Sequence, residues 1–364
     1  MTSPRPQPLP LIQALRGLAA LVVVLFHVDQ LSNERLGSRF VWEIFRFGWV
    51  GVDFFFVLSG FIIVYSQWSR WGDRGWRPWW RFIVRRATRI YPVYWAVMGG
   101  VLALLLTVPG LKNNTPITPL YILQSIFLLP QSEAPILSVA WTLTLILFFY
   151  LVASLMFLLP RWLYGLLVAV ILLGSLSQFI AFFTIPHDQA LLWIVFNSFH
   201  WEFAGGCLLA YLLKRRGPLR RALFWLSLGT VGVLLFSSAQ SYEIIQEVNP
   251  IPVLGTEVLI GRVIFTGIPC LAVVLGAASL DLRRPVAIPD WLAVLGNASY
   301  SIYLVHSPVI SACTQVLLKL NLPPIGGLLT LANCAIALLS VALGLGCYFW
   351  LEKPLMRSLK PYLP

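Results

Sequence analysis

Charge is what this sequence has least of. Only 11% of its 364 residues are charged, against 59% that are hydrophobic, and the mean hydropathy is +0.82. Soluble domains carry roughly 25% charged and ~45–50% apolar residues. A water-soluble fold this apolar would expose large adhesive patches, so the bilayer is the solvent that fits. Acidic residues are also few, 14 against 26 basic ones, for a net charge of +12. The basic residues fall in short stretches between apolar runs, which argues against a nucleic-acid-binding face. The five cysteines (Cys207, Cys270, Cys313, Cys334 and Cys347) all lie within apolar runs. None has metal-ligand spacing, so neither a metal site nor a disulfide framework is expected. There is no glycine-rich phosphate loop, no HExxH and no GxSxG, which removes the common soluble-enzyme chemistries. A fixed-period repeat and a low-complexity segment are also missing. The N-terminus, MTSPRPQPLP, is proline-rich and does not read as a secretory leader.

What the chain does have is length in its apolar runs. A spanning helix needs ~20 mostly apolar residues. Ten stretches qualify: 11–31, 48–67, 91–109, 137–159, 162–183, 191–213, 221–239, 257–279, 293–318 and 325–351. The shorter stretch 119–130 reads as interfacial or re-entrant. The expected fold is all-α, a polytopic transmembrane bundle of about ten spans. Residues 1–364 read as one membrane domain, with no appended extracytoplasmic domain.

Cytoplasmic loops collect Lys and Arg. With the N-terminus inside, 20 of the 26 basic residues fall on the inner side. The outer side keeps Arg35, Arg39, Arg46, Lys112, Arg262 and Lys319. Both termini are therefore expected in the cytoplasm. The longest inner loop, expected over 68–90, holds seven arginines and five tryptophans. That exceeds what an interfacial anchor requires and points to an anionic ligand. The second basic stretch, KRRGPLRR, needs no explanation beyond topology.

An ionisable residue inside a span costs several kcal/mol unless paired or solvated. Arg16, His27, Asp53, His200, Glu202 and His306 are thus the candidates for function. Arg16 and His27 are 11 residues apart, three helical turns, and share one face of the first span at ~16 Å separation. Asp53 begins the second span at the depth of His27, where a carboxylate could fix the imidazole tautomer and raise its basicity. Such a pair suits general-base catalysis. Ser59 and Gly60 follow, small enough for close helix approach. His306 sits mid-span with Ser299, Tyr300 and Tyr303 around it. His200 and Glu202 face different sides of one helix, and hydrogen bonding between helices is at least as good a reading for them. His187, in an outer loop, receives no role.

These residues together resemble the membrane-bound acyltransferase family 3, over nearly the whole chain from Arg16 to Pro354. The family's arginine followed eleven residues later by histidine is matched by Arg16 and His27. Its RxxR run is matched by Arg86 and Arg89. GVDFFFVLSGFII, SYSIYLVH and WLEKP are similar to its second-span, late-histidine and C-terminal segments. The resemblance implies O-acyl transfer from acyl-CoA, with acetyl the usual group, to a hydroxyl of a glycan or other lipid-linked or extracytoplasmic acceptor. It implies a multi-pass protein of the bacterial cytoplasmic (inner) membrane. His27, Asp53 and Arg16 would then be catalytic, with Arg86, Arg89 and Arg85 binding the donor's phosphates. His306, Tyr300 and Trp141 would line the substrate tunnel. One position departs: the family's central segment usually reads WxLxxExxFY, and Ile146 stands where its glutamate would. A catalytically impaired relative is therefore one alternative. A transporter of an anionic or lipid-linked substrate is another, since intramembrane His, Asp and Arg also suit a proton-coupled carrier.

Overall fold

The computed structural model describes residues 7–37, 46–70, 72–107, 117–179, 185–186, 188–242, 244–245, 248–253, 256–320 and 326–363. Arg5, Arg39, Lys112 and His187 lie outside them. Thirteen α-helices carry these residues: α1 (Pro10–Leu36), α2 (Val50–Gln67), α3 (Trp76–Thr107), α4 (Pro119–Phe127), α5 (Trp141–Ser154), α6 (Arg161–Ser175), α7 (Ala190–Val195), α8 (His200–Arg216), α9 (Ala222–Ser241), α10 (Ile268–Arg283), α11 (Asp290–Lys319), α12 (Gly326–Cys347) and α13 (Lys353–Leu359). Among the described residues, nine helical segments are long and apolar enough to cross a membrane. Leu331, Leu338, Trp162 and Trp350 on these segments are largely exposed, as a lipid-facing surface requires. The helical bundle expected from hydropathy is the fold.

Three boundaries differ from expectation. The sixth span, expected over 191–213, is divided into α7 and the 17-residue α8. The basic stretch 68–90 is mostly not a loop, because α3 begins at Trp76 and carries five of its seven arginines on a continuous helix. Arginine is a good helix former, and Pro78 falls in the first turn, where a missing N–H is harmless. The eighth span does not begin at 257. Strands β1 (Val248–Val253) and β2 (Thr256–Gly261) form an antiparallel hairpin pairing Val248 with Gly261. The β-branched residues of VNPIPV and TEVLIG favour that pleated backbone. The span proper starts with a π-helical turn, Val263–Gly267. The short stretch after residue 119 is helical (α4), capped by the Thr118 hydroxyl, which accepts from the Tyr121 N–H at 3.1 Å.

Packing runs through small residues. α1 packs on α11, α2 on α8, α9 on α10, and α11 on α12. At the α2–α8 crossing, a Cβ on Gly60 would lie 2.0 Å from the Phe203 carbonyl oxygen, and one on Gly206 would lie 1.9 Å from that of Val57. At the α1–α11 crossing, a Cβ on Gly296 would lie 2.0 Å from the Gln13 carbonyl oxygen. Only glycine permits these backbone contacts, and in a membrane such close packing drives helix association. Both crossings serve the polar interior: α1 and α11 present His27 and His306, while α2 and α8 present the buried Asp53 and Glu202.

Candidate active site

His27 and His306 are neighbours. Their ring centroids are 4.9 Å apart, and His306 Nε2 lies 3.2 Å from His27 Nδ1. Each ring also meets the carbonyl one turn back on its own helix: His27 Nδ1 at 3.0 Å from Val23 O, and His306 Nδ1 at 3.2 Å from Ile302 O. One set of tautomers satisfies all three contacts without opposing lone pairs. His306 donates Nδ1–H to Ile302, which leaves its Nε2 as an acceptor. His27 donates Nδ1–H to Val23 and His306 together, which leaves His27 Nε2 as the unprotonated, basic nitrogen. His306 is fully buried, whereas His27 lines a cavity of about 760 Å³ with Arg46, Trp49, Trp141, Arg262 and Tyr303. The orienting group behind His27 is thus an imidazole.

That corrects the pairing expected of Asp53. Its carboxylate, fully buried, is gripped by Arg262: Nε donates to both oxygens at 3.0 Å and the Nη2 atom to Oδ2 at 2.8 Å. The Thr266 hydroxyl adds a contact at 3.3 Å. The hydrogen bonds of His27 go elsewhere, to Val23 and His306. A guanidinium offers a carboxylate two parallel donors in a rigid fork, which a single imidazole N–H does not match. Arg262 also sits over the Trp49 ring at 4.3 Å and the Phe199 ring at 5.2 Å. Glu202, buried on α8, lies beside this ion pair. It is covered by Gly267, where a Cβ would come within 2.9 Å of Glu202 Oε1. His200 is separate from both centres, its Nε2 bonded to Ile194 O at 2.8 Å.

A second, smaller cavity of about 140 Å³ lies towards Arg16. Arg16 donates to Gln13 and to Ser299 Oγ, at 3.1 and 3.2 Å. Arg89 faces the same space and pairs with Glu352 at 2.7 Å. The Ser301 hydroxyl donates to the other Glu352 oxygen at 2.6 Å. Tyr300 lines the cavity and donates to Ile90 O at 2.8 Å. Ile146 forms part of the wall, between Leu143 and Tyr150. Of the other arginines of the run, Arg86 bonds Ser66 at 3.0 Å and stacks on Phe82 and Tyr150, and Arg85 is exposed on the same helix. Val52 and Tyr303 line both this cavity and the one that holds His27. The Tyr303 hydroxyl is tied to Thr142 at 2.8 Å and to Val139 O at 3.1 Å. One aromatic side chain therefore stands between an imidazole and a pair of arginines.

A family model described as an acyltransferase domain, Acyl_transf_3, matches residues 10–350. The chain belongs to this acyltransferase family. It is 32% identical to the exopolysaccharide production protein ExoZ of Rhizobium meliloti, over 92% of this chain and 95% of that protein. It is 25% identical to the peptidoglycan O-acetyltransferase OatA of Listeria monocytogenes, over 85% of this chain and 50% of OatA. It is also 27% identical to the acyltransferase MdmB of Streptomyces mycarofaciens, over 84% and 80% of the two chains. No solved structure matches the chain. Family membership and the apolar helices together make it a multi-pass membrane acyltransferase.

Two residues of the family member's polar interior escaped the sequence reading. Arg262 lies inside the apolar run 257–279, so the rule that singled out Arg16 applies to it too. Glu352 follows directly on the last run, in WLEKP, where a helix-end carboxylate looks solvated, yet it is 1% exposed. Among the described residues no cluster of His, Cys, Asp and Glu could hold a metal ion.

Proposed function

We propose that this protein transfers an acyl group from acyl-CoA to a hydroxyl of a glycan, with the donor on the Arg16/Arg89 side and the acceptor on the His27 side. The observation that carries this reading is the pair of cavities meeting at Tyr303, one holding a basic imidazole nitrogen and the other two guanidinium groups. Arg89 and Arg86, with Arg85 on the exposed face of α3, form a cationic run suited to the phosphates of CoA. The thioester reaches past Arg16 towards Tyr303. His27 Nε2 takes the proton of the acceptor hydroxyl as that oxygen attacks the thioester carbon. The tetrahedral intermediate then expels the CoA thiolate, and the proton held by His27 is returned to solvent or to the leaving sulfur. His306 positions His27 by accepting its Nδ1–H. Asp53 acts one step away: it holds Arg262 in the wall of the acceptor cavity, where an acceptor oxygen can be bound. The protein is proposed to sit in the bacterial cytoplasmic membrane with both termini inside, so that a reporter fused after Pro364 reads as cytoplasmic.

Comparing the mass spectra of cell-surface glycans with and without expression tests the reading. A mass gain that appears with the wild type and vanishes with His27→Gln supports it and names the acyl group. An unchanged spectrum, together with no consumption of acyl-CoA by the purified protein, defeats it. A second reading, an impaired relative, has its own observation: Ile146 places a hydrocarbon wall where the family usually carries a carboxylate, directly in the arginine-lined cavity. If this substitution limits catalysis, Ile146→Glu raises the rate of acyl transfer. A lower rate with the glutamate shows that the cavity has adapted to an apolar wall.

A further inference from the structure

A third cavity, of about 500 Å³, adjoins the one that contains His27 and takes no part in the mechanism above. Its volume is within the ~300–1,000 Å³ typical of small-molecule sites. Trp141 and Arg262 line both cavities, so they share a wall. Trp141 and Trp193 meet in it as a corner, with ring centroids 6.4 Å apart and planes at 61°. Gln131 and Gln178 approach from two different segments, and Glu133 adds a carboxylate. Gln131 Oε1 and Gln178 Nε2 are buried and, among the described residues, without a hydrogen-bond partner. One is an acceptor and the other a donor. A buried polar atom left unpaired is costly, and an unexplained one calls for a partner.

We propose that this cavity is a saccharide subsite, binding the sugar residue next to the one acylated at His27. A sugar ring has apolar C–H faces for the two indoles and hydroxyls that both donate and accept for the two amides. A lipid chain would satisfy the tryptophans and leave both amides unpaired. A phosphate would meet Glu133, and the nearby cation, Arg262, is already matched by Asp53. The inference rests on the acyltransferase reading for its acceptor class, and it makes the acceptor at least a disaccharide rather than a lone sugar or a simple alcohol.

The test uses the full chain in nanodiscs, titrated calorimetrically with α- and β-linked gluco-oligosaccharides of one to four residues. Affinity is expected to step up between one and two residues. Gln131→Leu and Gln178→Leu should each lower disaccharide affinity about three- to tenfold, the loss of one neutral hydrogen bond, and leave glucose binding unchanged. Trp193→Ala should erase the step, and Gln178→Asn should restore part of it. Unchanged acyl-CoA binding shows that each variant is folded. The absence of a length step, an equal loss for glucose and disaccharide, or no binding by any member overturns the subsite. Acyl transfer is measured in parallel. Transfer without length dependence keeps the enzyme and removes the subsite, whereas length-dependent binding without transfer keeps the subsite and removes the enzyme reading.

Discussion

The two ends of the polar interior are built on opposite plans. Around His27 the space is wide, about 760 Å³, and Arg262, held from behind by Asp53, is part of the wall. Around Arg16 the space is about 140 Å³, its walls are largely aromatic and aliphatic, and two guanidinium groups face it with a single carboxylate, Glu352, between them and neutrality. A wide polar chamber tolerates acceptors of varied shape. A narrow apolar one with excess positive charge suits one slender, anionic donor. Under the proposed function the contrast divides recognition: charge selects at the narrow end, and hydrogen bonding rather than shape at the wide one.

The largest effect that can break this contrast lies at His27. General-base catalysis is worth ~10²–10⁴-fold, so His27→Gln should lose at least a hundredfold in acyl-transfer rate while acyl-CoA still binds. His306→Ala should lose less, about tenfold, because it removes only the positioning contact. A His27→Gln protein that keeps more than a tenth of wild-type rate would move the base elsewhere. Next comes Asp53→Ala, which strands Arg262 in the wall. Removing one partner of a buried pair costs about 3–5 kcal/mol; here the lower end, ~3 kcal/mol, is expected because Arg262 retains the Trp49 carbonyl and two ring faces. Thermal unfolding in detergent measures it. An unchanged midpoint would show that the pair is not structural.

At the narrow end the effects are smaller and graded. Arg89→Ala should weaken acyl-CoA binding by about 1.5–3 kcal/mol, the range for a hydrogen bond to a charged group. Arg86→Ala should cost about 1 kcal/mol, since Arg89 lines the narrow cavity and Arg86 does not. Arg215→Ala, stacked on Trp68 and Tyr211, should change nothing. Titration of the three variants with CoA orders them. Equal losses would reduce the arginine run to a topology signal.

Hydropathy made the spans legible because lipid enforces ~20-residue apolar helices. The helical character of residues 76–90 was hidden because arginine breaks an apolar run without breaking a helix. The hairpin before residue 262 was hidden for the converse reason, apolar residues that favour a strand. His27, Arg16, Asp53 and His306 stood out singly, since each is expensive in a membrane. Their pairing did not, because partners lie far apart in sequence: Asp53 and Arg262 by 209 residues, His27 and His306 by 279. Spacing along one helix can show that two residues share a face. It carries no signal for which face of another helix will meet them.

The Tyr303 partition has a consequence for energised membranes. A membrane potential drops across whatever layer resists ions, normally the ~30 Å of hydrocarbon. Where two cavities reach inward and stop at Val52 and Tyr303, that layer thins to a few side chains. Carrying one charge through 100 mV costs ~2.3 kcal/mol. A proton arriving at His27 by the wide cavity, and leaving by it, crosses almost none of that drop. In the proposed reaction the thiolate leaves by the other cavity, so a proton released from His27 through the wide one leaves a charge separated across the thinned layer at each turnover, whereas a proton handed to the leaving sulfur leaves none; the voltage dependence of turnover distinguishes the two routes.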